Sequence, residues 1–147
     1  MNAQAMNRPG VPPPDRLGRE NARPHIVAGL GCRAQVTAGA VLEILRDAQR
    51  GMPPFTHLAA PEFRRGMAVL EDAARSLGLP LVFIGRPALE AVQPRCPTRS
   101  EAALRATGLA SVAEACALAA AGEGAMLLAP RRGGAGVTCA VAAGSAA

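Results

Sequence analysis

The sequence predicts an α/β domain, a three-layer sandwich. A mixed, mostly parallel sheet of about five strands is flanked by helices and ends in a C-terminal hairpin. Three observations predict it. Short apolar runs bounded by Gly and Pro alternate with stretches of helical periodicity, the order that builds a parallel sheet. The last two apolar runs lack a helical stretch between them, which suits antiparallel pairing. Half of the 147 residues are hydrophobic but only 2% are aromatic, so one core made of Ala, Leu, Val and Ile is both possible and required.

The elements follow in order. Residues 1–23 hold a run of prolines among polar residues and Arg, and read as a flexible N-terminal tail. Residues 24–147 read as one domain. His25 to Ala28 is a short buried strand ended by Gly29. A turn through Gly31, Cys32 and Arg33 leads to Thr37, a candidate N-cap. Val41, Ile44, Leu45 and Ala48 then recur at helical spacing, up to Gly51 and the Pro53-Pro54 pair. Thr56 to Ala60 is a second strand, and Pro61 is suited to open the next helix at its first position. Phe63, Met67, Leu70, Ala74 and Leu77 form that helix's apolar stripe, closed by Gly78.

Pro80 to Ile84 is a continuous apolar run of the buried-strand type. Ala88 to Val92 makes a helical turn, and residues 93–99 form a loop. Thr98 with Glu101 matches a capping box for a short helix ending at Gly108, and Ser111 with Glu114 matches a second. Val112, Ala115, Cys116 and Ala119 give the core face of this last helix, which Gly122 ends. Ala125 to Ala129 and Val137 to Ala143 are the hairpin strands, joined by a glycine-rich turn that begins at Arg131-Arg132.

Composition narrows the function. The net charge is +5 and the chain has no Lys, so all 16 basic residues are Arg, spread without a basic block. With no Trp, no Tyr and three Phe, a stacking platform for nucleic acid is not expected. The apolar stretch from Val112 to Leu128 contains Glu114 and Glu123 and is too polar to span a bilayer, so no membrane association is expected. Four cysteines at long gaps and the lack of an apolar leader predict reduced thiols in the cytoplasm. His25 and His57 are too few and too isolated for a metal site, so no metal and no cofactor are expected.

The stretch Gly29-Leu30-Gly31-Cys32-Arg33 is the first candidate site. A strand that turns into a helix offers free amide donors, and these bind anions. With Ala34 as the third position, the same stretch matches a dinucleotide fingerprint, but no acidic residue ends a second strand at the expected distance. Cys32 beside Arg33 has two readings: a thiol activated by a helix N-terminus, or a small packed residue. Cys32 and Glu62 are the candidates for catalysis. Arg131 and Arg132 are suited to carboxylates.

Taken together these residues resemble a known family. Gly29 to Arg33 is similar to the Gly-Ile-Gly-Cys-Arg signature of the CobE / CbiG C-terminal domain family of cobalamin biosynthesis. Ser111-Val112-Ala113-Glu114-Ala115-Cys116-Ala117-Leu118 resembles its Ser-Val-Ala-Glu-Ala-Ala-Ala-Leu. The likeness runs over residues 25–143 and includes Leu58 to Glu62, Leu79 to Leu81, Met126 to Leu128, Arg131 and Val137-Thr138. Ala34 stands where a second basic residue is common, and Arg64-Arg65 and Arg131 stand where Lys is common. The single-domain length resembles that of the stand-alone CobE of the oxygen-dependent route.

The resemblance implies a part in building the corrin ring. CbiG-type proteins open a lactone on a cobalt-precorrin and release a two-carbon fragment. For this chain it implies binding of a precorrin or corrinoid intermediate in an accessory or carrier role, with other enzymes of the pathway as further partners. The implied ligand-binding residues are Gly29, Gly31, Cys32, Arg33, Ser111, Glu114, Arg131, Arg132 and Thr138. A lactone hydrolase or isomerase acting on a precorrin is the first alternative. A dinucleotide-dependent oxidoreductase is the second.

Overall fold

The computed structural model describes residues 24–134 and 136–145. The expected tail, residues 1–23, lies outside the described residues. Strand β1 (His25–Cys32) is followed by helix α1 (Ala38–Gln49), β2 (His57–Pro61) and a 3-10 turn (Glu62–Arg64). Then come α2 (Ala68–Leu77), β3 (Leu81–Ile84), α3 (Arg86–Ala91) and a second 3-10 turn (Gln93–Arg95). The chain continues through α4 (Glu101–Thr107), α5 (Ala113–Ala121), β4 (Met126–Gly134) and β5 (Val137–Gly144).

The five strands form one mixed sheet in the order β3-β2-β1-β5-β4. β1, β2 and β3 are parallel, whereas β5 runs antiparallel to β1 and pairs with β4 as the C-terminal hairpin. Side chains alternate across β1. Ile26, Ala28 and Leu30 join one core with Val41 and Leu45 of α1 and Leu70 of α2. Val27 joins a second core with Cys116, Ala117 and Leu118 of α5. Helices therefore cover both faces, the three-layer sandwich that the sequence predicts.

The α1 stripe and the Thr37 cap stand as read: Thr37 Oγ1 accepts from Ala40 N at 3.1 Å, and Val41, Ile44, Leu45 and Ala48 are buried. Gly78 closes α2 with a left-handed φ of 67°, and Gly108 closes α4 at 80°. Helix α5 is unusual in being buried almost all round, with every residue from Ala113 to Leu118 buried. Its alanines let it lie very close to the sheet. A Cβ on Gly29 would fall 2.2 Å from Ala113 O and 2.5 Å from Ala117 N.

Several expectations are corrected. β1 does not end at Gly29. It pairs with β5 from His25↔Gly144 through Cys32↔Val137, because Gly29 serves the approach of α5 and no turn. Pro61 ends β2 and opens no α-helix; a 3-10 turn follows, and Gly66 at φ 95° separates it from α2. β3 is half-buried except for Ile84, since it lies at the edge of the sheet. Ser100, in place of Thr98, caps α4 by accepting from Ala103 N at 3.1 Å. β4 continues through Arg131-Arg132 to Gly134, so this part of the expected turn is strand.

Candidate functional site

β1 and β2 both run towards one end of the sheet, and there they leave a crevice. Open α/β sheets bind ligands outside the carboxyl ends of their strands. Here that end holds a cleft of about 380 Å³. β1 supplies Gly31, Cys32 and then Arg33. β2 supplies Pro61, after which the 3-10 turn carries Phe63 and Arg64 to the rim. The hairpin contributes Arg131, Val137 and Thr138. One face of α4, with Ala102, Ala103 and Ala106, forms the opposite wall.

Gly31 keeps the floor open. A Cβ at this position would lie 2.9 Å from Thr138 Oγ1 and 3.4 Å from the Val112 side chain. The Thr138 hydroxyl donates to Gly31 O at 3.3 Å. The interior is otherwise apolar, lined by alanines, valines and the proline ring.

The rim carries charge of one sign. Arg33, Arg64 and Arg131 line the cleft, and among the described residues no Asp or Glu does. Among the described residues none of the three makes an ion pair. Arg64 is held by its Nε, which donates to Cys32 O at 3.0 Å, and its guanidinium carbon stands 5.3 Å from the centre of the Phe63 ring. Phe63 itself is 43% exposed. Three guanidinia that make no ion pair among the described residues, set around an apolar hollow, make a positive focus that draws anions, carboxylates above all.

The backbone amides do not share in this. The expected strand-to-helix nest at Gly29 to Arg33 is absent, because these residues are paired strand and Arg33 N–H is given to Gly136 O at 2.9 Å. Helix α1 starts only at Ala38. The dinucleotide reading loses its phosphate turn for the same reason.

The remaining sequence candidates divide. Cys32 lines the cleft, but burial pushes its thiol pKa up and the nearby Arg64 offsets this only in part, so it is no activated thiolate. Glu62 is absent from the lining and pairs with Arg65 at 3.0 Å. Gly29 lies beneath α5. Arg132 points to the opposite face of the sheet, where Nη1 donates to Asp47 O at 3.2 Å.

Ser111 and Glu114 are buried behind the wall and form no capping box: the Ser111 hydroxyl donates to Glu114 Oε1 at 3.1 Å. Ser111 N–H is bonded to Gln93 Oε1. Among the described residues no three His, Cys, Asp or Glu side chains gather into a metal-binding group.

Sequence reasoning missed Phe63, Arg64 and the α4 wall as parts of the site. Phe63 fits the apolar spacing of the following helix and was placed there. The signal that could have corrected this was Gly66, which interrupts a helix at that point. Arg64-Arg65 stands where Lys is common in the family that the sequence resembles, but the sequence does not say which side of the fold the pair faces.

The fold and this site define a class: a small α/β domain with an arginine-rimmed cleft at the carboxyl ends of its parallel strands. Residues 26–142 match the family model described as cobalamin synthesis G C-terminus. The crystal structure of CobE, a protein from the cobalamin (vitamin B12) biosynthetic pathway, superposes with a TM-score of 0.74 and 30% identity, over 84% of this chain and 96% of that one. The cobalamin biosynthesis protein chiG from Agrobacterium tumefaciens str. C58 gives a TM-score of 0.65 and 41% identity, over 80% of this chain and 96% of that one. A search of the curated proteins finds no match. The chain belongs to the CobE / CbiG C-terminal domain family of cobalamin biosynthesis.

Proposed function

We propose that the cleft binds a precorrin or corrinoid intermediate of cobalamin biosynthesis on the oxygen-dependent route, and that the protein acts as an accessory or carrier. The observation that carries this reading is the ring of three guanidinia, Arg33, Arg64 and Arg131, around an apolar hollow that no carboxylate of the described residues lines. A precorrin has the complementary chemistry, a largely apolar macrocycle edged with acetate and propionate carboxylates. The cleft, at about 380 Å³, is near the small end of ligand pockets, ~300–1,000 Å³. It takes one edge of the macrocycle with its carboxylate arms. The rest of the ring stays exposed, which suits transfer to other enzymes of the pathway.

Catalysis by lactone hydrolysis or isomerisation has less support. Cys32 keeps its proton, and Glu62 is engaged with Arg65 outside the cleft. No redox cofactor enters this reading.

The test is gel filtration with visible spectra and mass analysis, using precorrin-pathway intermediates with free carboxylates and their methyl esters. Coloured ligand should co-elute with the protein unchanged in mass, and the esters should not. Arg33→Ala or Arg131→Ala should each weaken binding about tenfold, the worth of one charge-assisted hydrogen bond at ~1.4 kcal/mol. Ester binding equal to that of the acid would refute the carboxylate reading. A ligand that changes mass would replace the carrier with an enzyme.

A further inference from the structure

We infer that Glu114 is a positioning residue: its buried carboxylate fixes Arg131 at the rim of the cleft and ties the loop before α4 to the same point. The ligand arm of this inference rests on the function proposed above; the geometric arm does not.

Glu114 has 0% exposure and sits in the first turn of a helix otherwise built of Ala, Cys and Leu. A buried carboxylate is costly unless donors surround it. Glu114 has four. Thr98 N donates to Oε1 at 3.0 Å and Thr98 Oγ1 to Oε2 at 2.8 Å. Ser111 Oγ donates to Oε1 at 3.1 Å, and Arg131 N to Oε2 at 3.0 Å. Each oxygen accepts two bonds, which fills a carboxylate's capacity. An ion so saturated has no room for a ligand, so its role must act through the groups that it holds.

The Arg131 bond shows what is held. β4 slips register against β5: Ala129 pairs with Val141, but the next pair is Arg132 with Cys139. Pro130 and Arg131 fall in the resulting bulge without partners. A bulge re-aims side chains. Here it sends Arg132 to the α1 face and Arg131 to the cleft. Pro130 has no N–H, so the bulge frees one donor, that of Arg131, and Glu114 accepts it. The two Thr98 bonds act on the other wall, because α4 starts at its cap Ser100, two residues beyond. One carboxylate thus ties the backbone amide of Arg131 on the hairpin to the loop that leads into the facing helix.

The test uses the full chain and the variants Glu114→Gln, Arg131→Ala and the double variant. In the free wild-type protein, nitrogen-resolved NMR should show a slowly exchanging Arg131 amide. Rapid exchange of that amide would overturn the inference before any variant is made. In Glu114→Gln, one of the two oxygens becomes an NH₂ donor, and the Arg131 amide should exchange faster while the thermal transition remains cooperative. Unchanged Arg131 signals would overturn the inference.

The binding probe is uroporphyrin, a flat tetrapyrrole edged with acetate and propionate carboxylates, titrated by its fluorescence. Glu114→Gln and Arg131→Ala should each cost about tenfold, and the double variant no more than Arg131→Ala alone. Additive losses would mean that Glu114 acts on the fold at large and would overturn the inference. If wild-type protein ignores uroporphyrin, the carboxylate reading of the cleft is weakened, and the NMR arm still decides the role of Glu114.

Discussion

Gly29→Ala adds one methyl group, and the structure says where it goes. The new Cβ would sit 2.2 Å from Ala113 O and 2.5 Å from Ala117 N, where real Cβ contacts stay beyond 3.0 Å. Both obstacles are backbone atoms of α5, so no rotamer change relieves the clash. The helix must retreat by nearly an ångström at this point. Retreat also strains its other close contact, since Gly144 meets Ala121 O in the same way. Overpacking costs ~1–3 kcal/mol, and a clash with backbone on both sides belongs at the upper end, about 3 kcal/mol. For a domain of this size ~1 kcal/mol moves Tm by about 4 °C, so the transition should fall by roughly 12 °C.

Gly39→Ala is the control. Gly39 lies in α1 with nothing within 4 Å of an added Cβ. Ala there should hold or raise stability, by up to ~1 kcal/mol. Thermal and urea unfolding followed by far-ultraviolet circular dichroism measure both. A Gly29→Ala protein melting within two or three degrees of wild type would refute the claim that this glycine exists for the helix, because the close approach of α5 would then not constrain the fold.

Three further outcomes follow from the same geometry. Gly31→Val should fill the cleft floor and abolish uroporphyrin binding while costing less stability than Gly29→Ala, because its neighbours are the side chains of Thr138 and Val112. Cys32 should react with iodoacetamide at neutral pH more slowly than a free thiol, since burial raises its pKa; peptide mass mapping reads this, and fast labelling would contradict it. His57 has its pKa lowered from 6.5 by desolvation first and His25 second, so the fold favours its neutral form. Its contribution to stability is complete above about pH 6.5 and is lost as pH falls from there through the folded value, and His57→Gln should flatten the urea midpoint between pH 7 and pH 5.

Much of the fold was legible because it rests on local periodicity. Val41, Ile44, Leu45 and Ala48 declare α1 by spacing alone, and Gly78 and Gly108 declare helix ends because only glycine adopts a left-handed φ there without strain. The site was less legible because a glycine's reason is tertiary. Gly29 and Gly31 look like a turn in sequence, and nothing local says that α5, more than eighty residues on, needs the space. Arg131 and Arg132 face opposite sides of the sheet as neighbours in a strand do, but which of them faces the cleft depends on a register slip beside them, set by pairing with β5. Glu114 matched a capping box, yet its partners Thr98 and Arg131 are 16 and 17 residues away.

The relocation of positive charge from amides to guanidinia changes what the site depends on. A nest of backbone amides is rigid by construction. Three guanidinia on three segments are not: Arg33 ends β1, Arg64 sits on a 3-10 turn, and Arg131 sits in a bulge of an edge strand. Their combined field on one ligand edge depends on how those segments are tied together. The ties are visible in all three cases, and Arg33 N–H is bonded to Gly136 O on the hairpin. Arg64 Nε is bonded to the carbonyl of Cys32 beside Arg33, and the Arg131 amide is bonded to Glu114. Arg33 and Arg131 themselves are exposed, so their attraction is screened by salt over about 8 Å at physiological ionic strength. Affinity for a polycarboxylate must therefore fall as salt rises. Affinity indifferent to salt would place the binding energy in the apolar floor around Gly31 and not in the arginines.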